Sequence, residues 1–298
     1  MFKVAVLLAT YNGIDYIYEQ IESILNQVDV DVTIFVSDDL STDGTKGIIE
    51  NISATNTKII VLENVGKFGG AAKNFYRLIK DVDFSSFDYI SLADQDDIWY
   101  ADKLIHSINS IKEQSIDGYS ANVLAFWEDG KESILQKAST QAKYDYIFEP
   151  AGPGCTYVLS QKLTTEVKSF IEYKWNEVNK IDYHDWIIYA FARENGYSWY
   201  IDKKISMRYR QHSSNQLGAN NGIKALAKRF KLVFSSWYRN EIVKIIKVLN
   251  LELKYKFSLY ILEKSYLHNI FLLKYAHNFR RNKKEKIFLF ILILIGAF

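Results

Sequence analysis

The hydrophobic and polar positions in the first third of the chain follow two alternating patterns. Short continuous apolar runs predict strands buried on both faces, whereas apolar residues three and four apart predict amphipathic helices. The predicted strands are Val4–Ala9, Val32–Ser37, Lys58–Leu62 and Tyr89–Ala93. The predicted helices are Ile14–Gln27, Thr42–Ile52, Gly70–Ile79 and, after the fourth strand, Lys103–Lys112. This alternation predicts an α/β domain with a mainly parallel central sheet and helices on both faces.

The middle of the chain, residues 115–215, shows both patterns more weakly. We expect a strand at Thr156–Leu159, after a turn that contains both prolines of the chain, Pro150 and Pro153. A helix is expected at Asp185–Asn195. Two short strands are expected after it, at Tyr197–Ile201 and Ser206–Tyr209.

From residue 223 onward the sequence becomes basic and amphipathic. Residues 223–298 hold 16 lysines and arginines but only 4 aspartates and glutamates, so the net charge of +2 hides a basic tail behind an acidic front. Helical spacing relates Leu226, Phe230, Val233 and Trp237. We therefore divide the chain into an α/β domain, residues 1–222, and a helical C-terminal extension, residues 223–298.

The final residues suggest contact with an anionic surface. A basic segment at 280–286 precedes 12 residues, 287–298, that carry no charge. A transmembrane helix needs ~20 apolar residues, but a basic amphipathic helix with an apolar end can lie in the membrane interface. The alternative is a helical subdomain that packs on the first domain or forms a homodimer. Nucleic acid would suit the positive charge, but the apolar end favours a membrane.

Composition and motifs exclude several other classes of protein. Hydrophobic residues make up 48% of the chain, which suits a folded protein with a full core. The single cysteine, Cys155, excludes an internal disulfide framework and a cysteine-based zinc site, and it fits a cytoplasmic setting. Neither a Walker A motif nor a G-x-G-x-x-G motif is present, which weakens nucleotide hydrolysis and dinucleotide redox chemistry.

Polar side chains follow three of the predicted strands, where open α/β sheets bind ligands. The segments are Thr10-Tyr11-Asn12-Gly13, Asp38-Asp39 and Asp94-Gln95-Asp96-Asp97. Three carboxylates within four residues repel one another, and a divalent cation such as Mg²⁺ or Mn²⁺ would relieve that repulsion. Each segment also has a structural alternative. Asp94–Asp97 would be an acidic turn that caps the next helix, Asp38-Asp39 a helix cap, and Asn12-Gly13 a simple turn.

Three later residues also have candidate chemistry, each with a structural alternative. Lys73 follows a glycine-rich turn and would suit a phosphate. Asp185 begins a predicted helix, where it would either take a proton from a hydroxyl group or cap the helix. His212 would either contact a metal or diphosphate, or have a structural role.

In order and spacing, these segments resemble family 2 glycosyltransferases with the GT-A fold, over about residues 2–215. The matching segments are A-T-Y-N-G at 9–13, S-D-D-L-S-T-D-G-T at 37–45, A-D-Q-D-D-I-W at 93–99, G-P-G-C at 152–155, H-D-W at 184–186 and Y-R-Q-H at 209–212. The segments D-Q-D-D-I-W and R-Q-H further resemble the bacterial rhamnosyltransferase-like branch of the family.

The resemblance implies a role for each matching position. The residues that would bind a nucleotide sugar are Thr10, Tyr11, Asn12, Asp38, Asp39, Lys73, Asp94, Gln95, Asp96, Arg210 and His212. Asp96, Asp94 and His212 would hold Mn²⁺ or Mg²⁺, and Asp185 would be the catalytic base. The residues on the acceptor side would be Gly152, Gly154 and Trp186. His184 stands where the family usually has an acid before the base.

The resemblance also implies an activity. We expect an inverting, metal-dependent hexosyltransferase that moves L-rhamnose from dTDP-rhamnose to a polyprenyl-diphosphate-linked glycan, in O-antigen, capsule or cell-wall polysaccharide synthesis. Its expected location is peripheral, on the inner face of the cell membrane, without a nucleic-acid partner. A UDP-sugar donor is the main alternative, and a non-catalytic nucleotide-sugar-binding module is a remote one. Nucleotidyl transfer would need a glycine-rich basic loop after the first strand, which residues 10–13 do not supply.

Overall fold

The first part of the chain forms the predicted alternation of strands and helices. The structure, a computed structural model, describes residues 1–212, 236–263 and 265–298. The first strands are β1 (Phe2–Thr10), β2 (Val30–Asp38), β3 (Ile59–Val61) and β4 (Tyr89–Ala93). The helices around them are α1 (Ile17–Leu25), α2 (Thr45–Thr55), α3 (Ala71–Asp81) and α4 (Lys103–Gln114). The predicted α/β fold with a mainly parallel sheet is confirmed.

The register of the parallel strands brings their carboxyl ends to one edge of the sheet. Strand β1 lies between β2 and β4, and β3 extends the sheet beyond β2. Thr10 at the end of β1 pairs with Asp38 at the end of β2, and Leu8 pairs with Ala93 at the end of β4. The polar segments that follow these strands therefore lie side by side.

The second part of the sheet contains strands that the weak patterns did not predict. They are β5 (Ile98–Trp99), β6 (Gly118–Trp127) and β7 (Glu132–Leu135). Strand β6 has buried polar side chains, which interrupt the apolar run that would have marked it. Ser120 accepts a hydrogen bond from the Trp199 indole at 3.0 Å, and Asn122 donates to the Lys203 carbonyl at 3.0 Å. These partners come from distant residues, so the burial was not readable locally.

Two expectations for the middle of the chain need correction. The two short strands expected at Tyr197–Ile201 and Ser206–Tyr209 form one strand, β9 (Trp199–Gln211), whose pairing with β6 shifts register near Asn122. The strand expected at Thr156–Leu159 is shorter, because a 3₁₀ turn occupies Gly154–Thr156 and β8 covers Val158–Ser160. Strand β8 is antiparallel to both β4 and β6, and it joins the two halves of the sheet.

Helices cover both faces of the sheet. Strand β1 sends Val4, Val6 and Leu8 to one face, where α1 and α4 pack. Ala5, Leu7 and Ala9 point to the opposite face. The helices there include α3 and four later ones: α5 (Asp145–Phe148), α6 (Gln161–Tyr173), α7 (Trp175–Val178) and α8 (His184–Glu194).

The C-terminal helices pack on this second face. They are α9 (Trp237–Val248), α10 (Lys256–Leu262), α11 (Tyr266–Leu272) and α12 (Lys283–Leu294). The rings of Phe148 and Phe279, both buried, stack with centroids 3.8 Å apart. The Arg281 guanidinium donates to the buried Asp145 carboxylate at 2.9 Å. The boundary expected near Gly222 and the helical pattern of Leu226, Phe230 and Val233 lie outside the described residues.

Helices α11 and α12 also expose many large apolar side chains. No helix among the described residues is both long and apolar enough to cross a membrane. The exposed apolar residues of these helices and of the residue after α12 are Tyr266, Leu267, Ile270, Phe271, Ile287, Phe288, Phe290, Ile291, Leu294 and Ile295. Lys283 and Lys284 are exposed at the start of α12. The expected combination of basic and apolar surface is therefore present at the end of the chain.

We predict that the Phe148–Phe279 contact stabilises the α/β domain and the helices as one cooperative unit. Phe279→Ala should lower the free energy of unfolding by about 3–5 kcal/mol, because it leaves a cavity between the two regions. Leu253→Ala is the control, since Leu253 is 99% exposed. Denaturant unfolding followed by far-UV circular dichroism measures both variants. Equal stability of Phe279→Ala and the wild type would contradict this coupling.

Candidate active site

One large cavity opens at the carboxyl ends of β1, β2 and β4. Its volume is about 1510 Å³. Most of the predicted site residues line it, namely Thr10, Tyr11, Asn12, Asp39, Asp94, Gln95, Asp96, Gly152, Gly154, Asp185, Trp186 and His212. Residues more than one hundred positions apart in the sequence thus share one wall, as expected at this edge of an α/β sheet.

Three predicted residues are not part of the cavity wall. The carboxylate of Asp38 points inward and accepts hydrogen bonds from the Thr10 hydroxyl at 2.9 Å and from the Ser41 backbone N–H at 2.8 Å. Lys73 is exposed on the outer side of α3. Arg210 lies behind the acidic loop, where its Nε donates to the Asp96 carbonyl at 2.9 Å. Their expected contact with the nucleotide sugar stays a prediction, and the structure places all three outside the cavity lining.

Two other residues near the glycine-rich turn, Asn74 and Lys67, line the cavity where Lys73 was expected. Asn74, one residue later, lines the cavity although it is 2% exposed. Its amide donates to the Ser37 carbonyl at 2.8 Å, while its Oδ1 has no hydrogen-bond partner among the described residues. Lys67 also lines the cavity, with its ammonium 5.3 Å from the centre of the Tyr11 ring.

Asp39 holds the glycine-rich loop at the cavity wall. Its carboxylate accepts hydrogen bonds from the backbone N–H groups of Phe68, Gly69 and Gly70, the second at 2.8 Å. Both glycines have positive φ, 78° for Gly69 and 157° for Gly70, which other residues rarely adopt. Asp39 therefore fixes a loop next to the site, a role that the sequence did not reveal.

Gln95 connects the acidic loop to the end of β1. Its side chain accepts from the Tyr11 N–H at 2.8 Å and donates to the Tyr11 carbonyl at 2.9 Å. The next turn is the Asn-Gly turn considered above, because Asn12 has φ 47° and accepts from the Thr42 N–H at 2.8 Å. A side chain at Gly13 would lie 2.4 Å from the Gln95 amide. The glycine thus leaves the space that this connection requires.

The three carboxylates of the acidic loop have different surroundings. Asp94 and Asp96 line the cavity, and the Asp96 carboxylate lies 2.7 Å from His212 Nε2. Burial and the negative charges of Asp96 and Asp185 raise the pKa of Asp94 above its usual range. Asp97 is fully buried and accepts from the Arg210 N–H at 3.2 Å. The pair that faces the cavity is therefore Asp94 and Asp96.

A second acidic group lies behind this pair. Ligand atoms of Asp94, Asp97 and Cys155 are all within 4.8 Å of one another. Burial raises the pKa of the Asp97 carboxyl and of the Cys155 thiol well above their usual values. Neither Asp97 nor Cys155 lines the cavity, whereas Asp94 does. Asp97 and Cys155 fit the interior of the protein better than a cation site.

Asp185 and His184 lie next to the acidic pair at the start of α8. Burial raises the pKa of Asp185 to about 7, with Lys137 as the nearby positive charge that opposes the shift. His184 stacks on Phe75 with centroids 4.0 Å apart, and burial lowers its pKa to about 3. His184 is therefore neutral. A side chain at Gly154 would approach His184 Nε2 to 2.4 Å, which explains the glycine.

Sequence reasoning missed part of the cavity wall. Tyr16 stacks on His212 with centroids 4.9 Å apart. Trp237 and Tyr238 from α9 reach the other end, and the Tyr238 ring stacks on Trp186 with centroids 5.8 Å apart. Lys137 lines the wall close to Gly152. No local motif marks these residues, because sequence-distant elements bring them to the cavity.

Comparison with known proteins agrees with this geometry. Residues 5–167 match the family described as Glycosyl transferase family 2, and the chain belongs to that family. The dTDP-rhamnosyl transferase RfbG of Shigella flexneri is 46% identical over 98% of this chain and 100% of its own length. The UDP-Glc:alpha-D-GlcNAc-diphosphoundecaprenol beta-1,3-glucosyltransferase WfgD of Escherichia coli is 25% identical over 84% of this chain and 92% of its own.

A solved structure supports the fold. The mannosyltransferase PcManGT from Pyrobaculum calidifontis, in complex with GDP-Man and Mn²⁺, superimposes with a TM-score of 0.55. The match covers 99% of this chain and 85% of that chain at 12% identity. The expected GT-A fold and membership of family 2 are thus confirmed, and the protein is a glycosyltransferase.

We predict that the acidic loop is stabilised by the hydrogen bonds between Gln95 and Tyr11, which require a residue without a side chain at Gly13. Gly13→Ala should displace the Gln95 amide from Tyr11 and lower the free energy of unfolding by about 1–3 kcal/mol through overpacking. Gly47→Ala is the matched control, because a side chain there meets no atom within 4 Å and alanine favours the helix α2. Thermal unfolding compares the two variants. Equal or higher stability of Gly13→Ala would contradict the proposed constraint.

Proposed function

We propose that this glycosyltransferase moves rhamnose from dTDP-rhamnose to a lipid-linked glycan, with inversion at the anomeric carbon and with a divalent metal. The main observation is that a single cavity holds the carboxylate pair Asp94 and Asp96 beside a third carboxylate, Asp185, of raised pKa. This arrangement gives a leaving-group end and a proton-accepting end around one reaction centre. Similarity to RfbG over its full length favours a dTDP-rhamnose donor.

The acidic pair suits a hard divalent cation. The pKa of Asp94 is raised because burial and nearby carboxylates disfavour its charged form, and a cation would reverse that effect. Asp94, Asp96 and His212 offer the oxygen and imidazole ligands that Mn²⁺ accepts, and Mg²⁺ would use the carboxylates. When bound, such an ion would neutralise the diphosphate of the donor as it leaves.

Residues around the acidic pair would hold the donor. Tyr11 is 44% exposed, and its ring lies beside Lys67 and offers a face for a nucleobase. Gly69 and Gly70, which Asp39 fixes, and Asn74 line the same region. Thr10 and Asn12 shape the floor of this region through their hydrogen bonds. Arg210 would act indirectly, because it supports the Asp96 backbone.

Asp185 would act as the general base. Its pKa of about 7 lies near physiological pH, where a general base is most effective. In our proposal it takes the proton from an acceptor hydroxyl that attacks the anomeric carbon opposite the diphosphate. Gly152, Gly154 and Trp186 would border the acceptor. Where the family usually has an acid, the neutral His184 adds no charge beside Asp185.

The apolar face of α11 and α12 would place the enzyme on the inner face of the cell membrane. Lys283 and Lys284 precede this face, and each lysine near an anionic surface contributes ~1 kcal/mol. An acceptor whose lipid lies in that membrane would then reach the nearby cavity. The name of WfgD gives a diphosphoundecaprenol-linked acceptor, which favours the same acceptor class here. A homodimer through the same face is the alternative.

Two alternative functions differ from the proposed one in testable ways. A UDP-sugar donor, as the name of WfgD gives, would leave the mechanism unchanged and alter only the base and sugar recognised. A non-catalytic nucleotide-sugar-binding module would not need the raised pKa of Asp185 next to the acidic pair. Turnover of a nucleotide sugar therefore separates it from the enzyme.

We predict that Asp185→Asn lowers kcat by about 10²- to 10⁴-fold, because the amide cannot accept the proton. Binding of the nucleotide sugar should persist. For the wild type, kcat/KM should rise with pH until about pH 7 and then level off, because the protonated carboxyl is inactive. Release of the nucleoside diphosphate during transfer measures both effects.

Asp182→Asn is the control for this variant. Asp182 lines the same cavity three residues earlier, and its carboxylate accepts from the Trp237 indole at 2.9 Å, which an amide oxygen can replace. This control should keep near-normal turnover. Normal turnover of Asp185→Asn, or a wild-type kcat/KM that does not change with pH around pH 7, would rule out Asp185 as the base.

We predict that replacing Ile287, Ile291 and Ile295 together by serine lowers binding to vesicles that contain phosphatidylglycerol by at least tenfold. The three side chains are between 47% and 62% exposed, and membrane burial of each would contribute about 1.5–3 kcal/mol. Vesicle flotation measures the bound fraction. The control replaces two exposed residues of the α/β domain, Val28 and Ile60, by serine.

The control should float like the wild type. Equal flotation of the triple variant would contradict membrane attachment through α12. If sedimentation then shows that the triple variant loses a dimer, the apolar face serves the homodimer.

A further inference from the structure

Lys137 occupies a fixed position on the cavity wall after β7. Its backbone N–H donates to the Asn122 amide oxygen at 2.7 Å, and the next N–H, of Ala138, donates to the same atom at 2.9 Å. A side chain at Gly152 would lie 3.6 Å from the Lys137 Cβ. The backbone and the start of this side chain are therefore held in place, while its end is exposed to the cavity.

The Lys137 ammonium differs from the other cations of the cavity wall. Arg280 is engaged by the Glu285 carboxylate and the Phe148 carbonyl. Arg281 is engaged by Asp145 and the Pro150 carbonyl. Within the described residues, Lys137 has no hydrogen bond, ion pair or ring contact for its ammonium. It is thus a positive charge available to a ligand.

The surroundings of Lys137 favour an anionic ligand. Burial lowers its pKa, the carboxylates of Glu285 and Glu149 oppose that shift, and the two arginines reinforce it. A cation whose charge is only partly compensated by its neighbours gains from a phosphate partner. Lysine also binds phosphate as a compact charge without demanding one orientation.

The turn that contains Gly152 and Gly154 places Lys137 close to Asp185. A side chain at Gly154 would lie 3.3 Å from the Asp185 Cβ, and one at Gly152 would lie 3.6 Å from the Lys137 Cβ. Lys137 is also the positive charge that acts on Asp185. The Lys137 ammonium therefore lies near the proposed base, on the side of the cavity that holds Gly152 and Gly154. An anion at Lys137 would belong to the molecule on the acceptor side of the base.

The segment before α12 also lies near Lys137. Arg280 and Arg281 line the cavity and immediately precede α12. The Tyr238 ring, also on the wall, lies 6.1 Å from the Phe298 ring at the end of the chain. The C-terminal helices therefore contribute to the wall of the cavity on the side of Lys137 through Arg280 and Arg281.

We infer that Lys137 is a subsite for the diphosphate of a lipid-linked acceptor, next to the proposed catalytic base. The inference rests on the proposed function, which supplies the lipid-linked acceptor. The ligand class is a prenyl diphosphate, whose phosphate oxygens accept charge-assisted hydrogen bonds from the ammonium. The donor diphosphate remains at the acidic pair.

Binding of farnesyl diphosphate, a soluble prenyl diphosphate, tests this subsite without turnover. Titration by microscale thermophoresis in the presence of EDTA excludes metal-mediated binding at the acidic pair. The dissociation constant should rise by about tenfold or more in Lys137→Gln, the loss expected for one charge-assisted contact. Lys137→Arg should retain most of the affinity. Lys73→Gln is the matched control, because Lys73 is exposed outside the cavity.

Two further ligands locate the effect. Farnesol, which lacks phosphates, should bind Lys137→Gln and the wild type equally. dTDP with Mn²⁺ should also bind both proteins equally, because it binds at the acidic pair. Equal farnesyl diphosphate affinities, no binding to the wild type, or a weaker dTDP affinity in Lys137→Gln would each overturn the subsite.

These titrations separate the subsite from the proposed function. They require no donor sugar and no transfer, so an error in the rhamnose assignment leaves their outcome unchanged. If Asp185→Asn abolishes transfer while Lys137→Gln leaves the dissociation constant of farnesyl diphosphate unchanged, only the subsite is contradicted.

Discussion

The pairing of β1 with β2 and β4 is the constraint on which the active site depends. Parallel pairing places Thr10 beside Asp38 and Leu8 beside Ala93, so the loops after three strands must share one edge. A one-residue slip would move the buried side chains of β1 to the wrong face. The buried cores on the two faces therefore fix the register, and the register fixes which loops meet. The acidic loop faces the cavity because the sheet permits no other alignment.

Concentrating carboxylates at that edge has an electrostatic cost, which the surrounding groups offset. The Arg210 guanidinium supports the backbone of the acidic loop, and His212 contacts Asp96. Behind the loop, the buried Lys103 ammonium lies 3.5 Å from the centre of the Trp99 ring, and burial lowers its pKa to about 7. Asp94, which lines the cavity, keeps a raised pKa, and our proposal places the metal there. The charge of Lys137 only partly offsets the effect of burial on Asp185, so the pKa of Asp185 stays raised. A raised pKa suits a group that must accept a proton.

The sequence was most informative where local pattern and topology coincide. The apolar runs of β1, β2 and β4 and the aspartates after them identified the sheet edge, and the spacing of motifs through His212 identified the family. It was less informative where contacts decide the outcome. Lys73 was expected at the cavity, yet the helical turn of α3 directs Asn74 there instead. Strand β6 was missed because the partners of its buried Ser120 and Asn122 lie some eighty residues away. Lys137 has no motif, since only tertiary structure brings it near Asp185.

The central claim is that the two ends of one cavity divide the reaction, with metal and diphosphate at Asp94 and Asp96 and proton transfer at Asp185. Isothermal titration of dTDP-rhamnose, with and without Mn²⁺, tests this division directly in Asp96→Ala and Asp185→Asn. The account predicts that Asp96→Ala loses the metal-dependent part of the affinity, whereas Asp185→Asn binds like the wild type. Unchanged metal-dependent affinity in Asp96→Ala, or an equal loss in both variants, would contradict it.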